Sequence, residues 1–133
     1  MSLVILYLAT FAIFLGLDYL GLTYIVRPVF ERDIGHLLAE DIRMVPAFAF
    51  YAFFVGVVIW FVSWPALTQD HSLLWVLGNA ALIGAAGYGT YEFTSLAVMK
   101  DWTWQMVLTD LTWGTCLTGF SATAGVAVAR MIG

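Results

Sequence analysis

The chain has 133 residues, of which 62% are hydrophobic and 11% charged, and its mean hydropathy is +0.92. A soluble domain of this length could not bury so much apolar surface, so the composition predicts a membrane protein in contact with lipid. A formal net charge of −4 with only five Lys and Arg residues argues against a nucleic-acid-binding surface, which needs clustered basic residues.

The first apolar run predicts a transmembrane helix over residues 2–24. Arg27-Pro28 should end it, because the residue before a proline disfavours the α conformation. We expect this run to be a membrane anchor, since it lacks the basic start and small-residue cleavage site of a removable leader. The polar stretch over 29–44 places apolar and charged residues at helical spacing, which is typical of an amphipathic helix in the membrane interface.

Three further apolar runs predict transmembrane helices over residues 46–64, 73–98 and 105–129. Tryptophans near the predicted helix ends are typical of an interfacial aromatic belt, and these are Trp60, Trp64, Trp75, Trp102 and Trp104. The predicted fold class is an all-α integral membrane four-helix bundle, formed by one domain over 1–133. An amphipathic interfacial segment should join helices one and two.

Basic residues are unevenly shared between the two sides of the predicted bundle. The connections after helices one and three hold Arg27, Arg32, Arg43 and Lys100, whereas the opposite side holds Arg130. The positive-inside rule therefore predicts that these two connections are cytoplasmic and that both termini are periplasmic.

Three carboxylates lie inside predicted helices, at Asp18, Glu92 and Asp110. Inserting a charged side chain into a bilayer costs roughly 2.5–3.5 kcal/mol, so such residues suggest function. Counted along each helix, all three lie roughly 12 Å from the predicted cytoplasmic surface. We predict that they meet and form a proton or cation site, because close carboxylates in apolar surroundings cannot all be ionised. Neighbouring polar and aromatic side chains complete the predicted transport or ion-binding site, and these are Tyr19, Tyr91, Thr94 and Trp113.

The alternative is a structural role for the acids. Each could be protonated, could accept a hydrogen bond from a nearby hydroxyl, or could pair with Arg27 or Lys100 reaching in from the surface. The acids could also line a watery vestibule. Small residues at spacings of three and four predict close helix packing, and the candidates are Gly78, Ala85 and Gly89 on helix three and Gly114 and Gly119 on helix four.

The sequence gives little support to a disulfide, a haem site or a common enzyme motif. The single cysteine, Cys116, excludes an internal disulfide, and His36 and His71 lie on opposite predicted sides, which argues against a bis-histidine haem. No nucleotide-binding, serine hydrolase or zinc protease motif occurs. We expect no metal, cofactor or catalytic residue, although an enzyme acting on lipid, with Glu92 or Asp110 as acid or base, stays open.

Six short pieces in order carry a family resemblance: 17–21 (LDYLG), 34–38 (IGHLL), 46–47 (PA), 88–94 (YGTYEFT), 100–102 (KDW) and 110–114 (DLTWG). The chain resembles a family of small bacterial predicted membrane proteins catalogued as a domain of unknown function. The family's third-helix motif reads Tyr-x-Thr-Tyr-Asp-Leu-Thr-Asn, where this chain has Glu92 for the aspartate and Ser95 for the asparagine. The resemblance implies a four-helix inner-membrane protein and singles out the same three carboxylates, but it implies no activity.

The leading hypothesis is therefore a small transporter or channel-like protein that handles protons or a cationic solute at these carboxylates. Four helices enclose little space, so a homo-oligomer or a larger membrane complex is expected, with lipid around it and no nucleic acid bound. The alternative is a non-catalytic accessory subunit that packs against a larger membrane complex.

Overall fold

The computed structural model describes residues 2–38 and 43–132. Within these ranges the chain is helical apart from short connections, and no strand occurs. The described part contains four helices long and apolar enough to cross a membrane, here called helices one to four: Leu3–Leu37, Met44–Thr68, Leu73–Val98 and Trp104–Ile132. This confirms the predicted all-α fold with four candidate spans.

Helix one does not end at Arg27-Pro28, contrary to the sequence-based prediction. The α-helix Ser2–Gly21 passes into a π turn over Leu22–Val26, and α-helix resumes over Arg27–Ile34. A proline inside a helix lacks one N–H and its ring crowds the preceding turn. The wider π turn just before Pro28 accommodates both effects, so the helix continues through the proline.

Helix two uses the same arrangement at its far end. A π turn over Ile59–Ser63 precedes Pro65, and the helix continues over Trp64–Thr68 instead of stopping at the predicted Trp64. Both helices continue through their prolines, since the tendency of a helix to end before proline depends only on the residues next to it. Packing of the following turn can outweigh it.

The first part of the predicted interfacial segment continues helix one and folds onto the end of the bundle. After Ile34 a single 3-10 turn follows over Gly35–Leu37. Ile34 is buried against Met106 and Val107 at the start of helix four. The rest of the predicted segment includes residues 39–42, which lie outside the described residues.

Hydrogen bonds tie this extension to the start of helix four. Asp33 accepts from Thr103 Oγ1 at 2.7 Å and from Arg32 Nε at 2.8 Å. Arg32 Nη2 also donates to Gln105 Oε1 at 2.6 Å. This end of the bundle carries Arg27, Arg32, Arg43 and Lys100, and we call it the basic end.

Helix four is the centre of the packing, with its largest contacts to helix three and then to helix one. Backbones approach closely where glycines replace side chains. A Cβ added at Gly125 would lie 2.0 Å from Thr10 Oγ1, and one at Gly84 would lie 2.8 Å from the carbonyl oxygen of Gly114. Such contacts between small residues are the usual way that helices associate in lipid.

The predicted small-residue packing positions differ in what they touch. A Cβ at Gly114 would lie 2.2 Å from the Tyr88 ring and one at Gly119 would lie 3.1 Å from Leu77, whereas one at Gly89 would make an ordinary 3.5 Å contact with Leu111. Ala85 is half-buried. Gly78 is exposed, with nothing within 4 Å of an added Cβ. Helix three carries small residues on more than one face, and their spacing alone does not identify the face that meets helix four.

Candidate intramembrane carboxylate site

Three helices bring their acidic residues to one place. Asp18 of helix one and Asp110 of helix four line the same cavity, whose volume is about 530 Å³. Glu92 of helix three lies beside it, with its carboxyl group within hydrogen-bonding reach of the Asp110 carboxyl. Asp18 is 7% exposed and Glu92 is fully buried. The three acids that the sequence placed at one depth therefore surround one region of the bundle.

Only one oxygen of the Glu92 carboxyl accepts a hydrogen bond from a donor among the described residues. Its Oε1 accepts a hydrogen bond from Trp102 Nε1 at 3.0 Å. Its Oε2 is buried and receives no hydrogen bond from a donor among the described residues. Two adjoining carboxyl groups in apolar surroundings cannot both carry a charge, because the repulsion is not screened by water. A proton between Glu92 and Asp110 would turn this repulsion into a hydrogen bond.

Asp18 has a different environment, made of neutral groups. Trp113 Nε1 donates to its Oδ1 at 3.4 Å, and the Tyr51 hydroxyl lies beside the same carboxyl. Gly21, one turn further along helix one, makes room for the indole, since a Cβ there would lie 2.0 Å from the Trp113 ring. The local sequence of helix one thus supplies both the acid and the space for its partner.

The cavity has contributions from all four helices, and its wall is mainly aromatic and aliphatic. The π turn of helix one contributes Leu22 and Val26. The aromatic residues that line the cavity are Phe30, Phe50, Tyr51, Tyr88, Tyr91 and Trp113. The Tyr88 hydroxyl is buried and has no hydrogen-bond partner among the described residues.

Two of the neighbouring residues predicted from the sequence reach this region and two do not. Trp113 and Tyr91 line the cavity. Tyr19 is 69% exposed, Thr94 is exposed, and neither lines the cavity. Tyr19 is adjacent to Asp18 in sequence and so points about 100° away from it on helix one.

Sequence reasoning missed Tyr51, Tyr88 and the role of Trp102. The sequence predicts Trp102 as part of the interfacial aromatic belt, but it is only 9% exposed and its indole N–H donates a hydrogen bond to Glu92. Tyr88 belongs to the YGTYEFT piece one turn before Glu92, which is a signal that could have identified it. Tyr51 lies in a helix without charged residues, and nothing in its neighbourhood distinguishes it from a packing tyrosine.

Surface charges at the basic end pair with one another. Arg27 Nε lies 2.6 Å from Glu31 Oε1, and His36 Nε2 lies 3.0 Å from Asp101 Oδ2. Arg27 therefore has an acidic partner outside the carboxylate site. Within the described residues no group of three or more His, Cys, Asp or Glu side chains is arranged to hold a metal ion.

Comparison with known proteins identifies a family without an assigned activity. A family model described as "Predicted membrane protein (DUF2177)" matches residues 3–127, which is nearly the whole chain. The match confirms the resemblance seen in the sequence. No curated protein and no solved structure matches the chain.

Proposed function

We propose that this chain, which belongs to the DUF2177 family of predicted membrane proteins, is a small transporter of the bacterial inner membrane that handles protons or a cationic solute. The observation that carries this proposal is that the buried Glu92 carboxyl lies within hydrogen-bonding reach of the half-buried Asp110 carboxyl, next to a cavity lined by all four helices. The pair is the proposed proton-holding group. Asp18 is the proposed site for positive charge.

Physical cost supports this assignment over a purely structural role. Each acid inside a span opposes insertion, and two in contact add repulsion unless a proton is held between them. An amide pair would supply the same hydrogen bonds without that penalty. Acids that can gain and lose a proton beside an accessible cavity offer what coupled transport needs, because a cation and a proton can compete for the same negative charge.

The test is proton movement in liposomes that contain the purified protein and a pH-sensitive dye. A pH gradient is imposed with no added solute, with Na⁺, with K⁺ or with an organic cation outside. In at least one condition the wild-type protein should dissipate the gradient faster than empty liposomes. Asp110→Asn and Glu92→Gln should each reduce that rate to the level of empty liposomes, because neither amide can release a proton.

Glu31→Gln is the matched control, since this acid is exposed at the basic end and contacts Arg27. Its proton movement should equal that of the wild type. If the wild type is inactive in every condition, or if both amide variants retain full activity, the transport proposal is wrong. An accessory subunit would then be the better proposal, tested by mass spectrometry of what co-purifies from native membranes.

The proposed orientation places the basic end in the cytoplasm. In a Cys116→Ser background, Lys100→Cys should react with a membrane-impermeant maleimide only after the cells are permeabilised. Gln69→Cys, in the connection at the opposite end, should react in intact cells. Labelling of Lys100→Cys in intact cells would reverse the proposed orientation.

A homo-oligomer is also proposed, and the exposed face of helix three supports it. Asn79 is exposed there next to Gly78, and its side-chain amide donates only to the Trp75 carbonyl among the described residues. A polar amide on a lipid-facing surface favours contact with another helix. The same face would serve an accessory subunit, so it supports association without identifying the partner.

A further inference from the structure

We propose that the cavity next to the acid pair binds a monovalent lipophilic organic cation, such as a quaternary ammonium or a flat aromatic cation, with Asp18 as its counter-charge. The inference names the solute class of the proposed transporter and rests on that function for transport. Binding itself can be tested without it.

The size of the cavity is the first argument. At about 530 Å³ it falls within the range of pockets that enclose small organic ligands, about 300–1,000 Å³. An inorganic cation instead requires several oxygen ligands at close, fixed distances. Although Asp18, Glu92 and Asp110 border one region, no three acidic, His or Cys side chains among the described residues are placed so that they could hold such an ion together. The space fits an organic solute better than a bare metal ion.

The wall chemistry is the second argument. A cation over the face of Trp, Tyr or Phe gains roughly 0.5–2 kcal/mol per good contact, more when water is excluded. Tyr51, Tyr91 and Trp113 line the cavity beside aliphatic side chains that suit the apolar part of such a solute. Tyr88 also lines the cavity and adds another aromatic residue to its wall.

The aromatic wall is held in place by contacts behind it. Phe50 stacks on Phe54 with ring centroids 5.5 Å apart, and the ring centroids of Tyr51 and Phe14 are also 5.5 Å apart. Tyr91 meets Trp102 edge to face at 5.7 Å. Rings fixed in this way lose little freedom when a ligand binds, which favours affinity.

Charge is the third argument, and it sets the valence. The described residues that line the cavity include Asp18 and Asp110 but no Lys, Arg or His. Asp110 adjoins Glu92, with which it can share a proton, whereas Asp18 contacts the neutral groups of Trp113 and Tyr51. If Asp18 gives up its proton, its carboxylate stands among aromatic rings with no cationic side chain of the lining beside it, and one positive charge would balance it. A monovalent cation supplies it and avoids the need for a buried unpaired charge.

The experiment measures binding of ethidium, a fluorescent lipophilic cation, to the purified protein in detergent by fluorescence polarisation. Wild-type protein should bind it saturably above the level of empty micelles. Excess tetraethylammonium should displace it, whereas Na⁺ and K⁺ at equal ionic strength should not. Asp18→Asn keeps the shape of the side chain and removes its charge, so it should weaken binding at least about tenfold.

Two further variants keep the test informative if Asp18→Asn fails to fold. Tyr91→Leu removes one ring from an exposed part of the wall and should weaken binding severalfold. Glu31→Gln, a matched removal of an acid outside the cavity, should bind as the wild type does. Wild-type affinity in both Asp18→Asn and Tyr91→Leu, or displacement by Na⁺ or K⁺, would overturn the organic-cation site.

The two proposals fail in different ways. Proton movement that depends on Glu92, without saturable ethidium binding, would support the transport function and contradict the organic-cation site. Ethidium binding that depends on Asp18, without proton movement in any liposome condition, would support the organic-cation site and contradict the transport function.

Discussion

Gly114→Leu should lower the free energy of unfolding by about 3 kcal/mol or more, because it forces a side chain into space that is already filled. A single Cβ at this position would lie 2.2 Å from the Tyr88 ring, and the rest of the leucine has nowhere to go between helices three and four. Gly78→Leu should leave the stability of the monomer unchanged within about 0.5 kcal/mol. An added Cβ at Gly78 meets nothing within 4 Å.

The measurement is unfolding of each purified variant in mixed micelles, followed by helical circular dichroism. Gly125→Leu is a second test outside the carboxylate site, where a Cβ would lie 2.0 Å from Thr10 Oγ1. It should be as damaging as Gly114→Leu. Equal stability of the Gly114 and Gly78 variants would contradict the packing of helix four on helix three.

The number of spans could be predicted because it depends on simple quantities. Hydropathy and the length needed to cross a bilayer placed all four helices, and the rise per residue placed the three acids at one depth. The ends of helices one and two could not be predicted in the same way. The proline rule considers one residue, whereas a π turn before Pro28 and Pro65 lets each helix continue.

The faces of the helices were harder to predict than their depth. Helix three has small or polar side chains on several faces, so a glycine such as Gly78 can belong to the spacing of a packing stripe and still be exposed. Tyr51 shows the same limit on helix two. Only the arrangement of four helices brings it beside Asp18, and that arrangement depends on contacts far apart in the sequence.

Trp102 connects the carboxylate site to the basic end. Its ring meets Phe30 of the helix-one extension edge to face at 5.4 Å, while its N–H holds Glu92. Asp33 of the same extension accepts a hydrogen bond from Thr103, the next residue after Trp102. The continuation of helix one beyond Pro28 therefore contributes directly to positioning the donor for a buried acid.

Trp102→Phe should lower the free energy of unfolding by about 1–3 kcal/mol, since it removes the donor to a fully buried carboxyl oxygen. The phenylalanine ring keeps much of the contact with Phe30, so the loss reports mainly on the hydrogen bond. Trp104→Phe is the matched control, because Trp104 is 61% exposed, and it should change stability little.

The same substitution in a Glu92→Leu background separates the hydrogen bond from packing. With no carboxylate present, Trp102→Phe should cost about 1 kcal/mol less than in the wild type, and the difference measures the coupling between the two side chains. Glu92→Gln should retain the acceptor for the Trp102 N–H and therefore keep the full cost of Trp102→Phe to within about 0.5 kcal/mol. Unfolding curves of the single and double variants, recorded in one detergent, provide all of these values. An identical cost of Trp102→Phe with and without the Glu92 carboxyl would show that Trp102 acts through packing alone, and Glu92 would then need another partner to explain its burial.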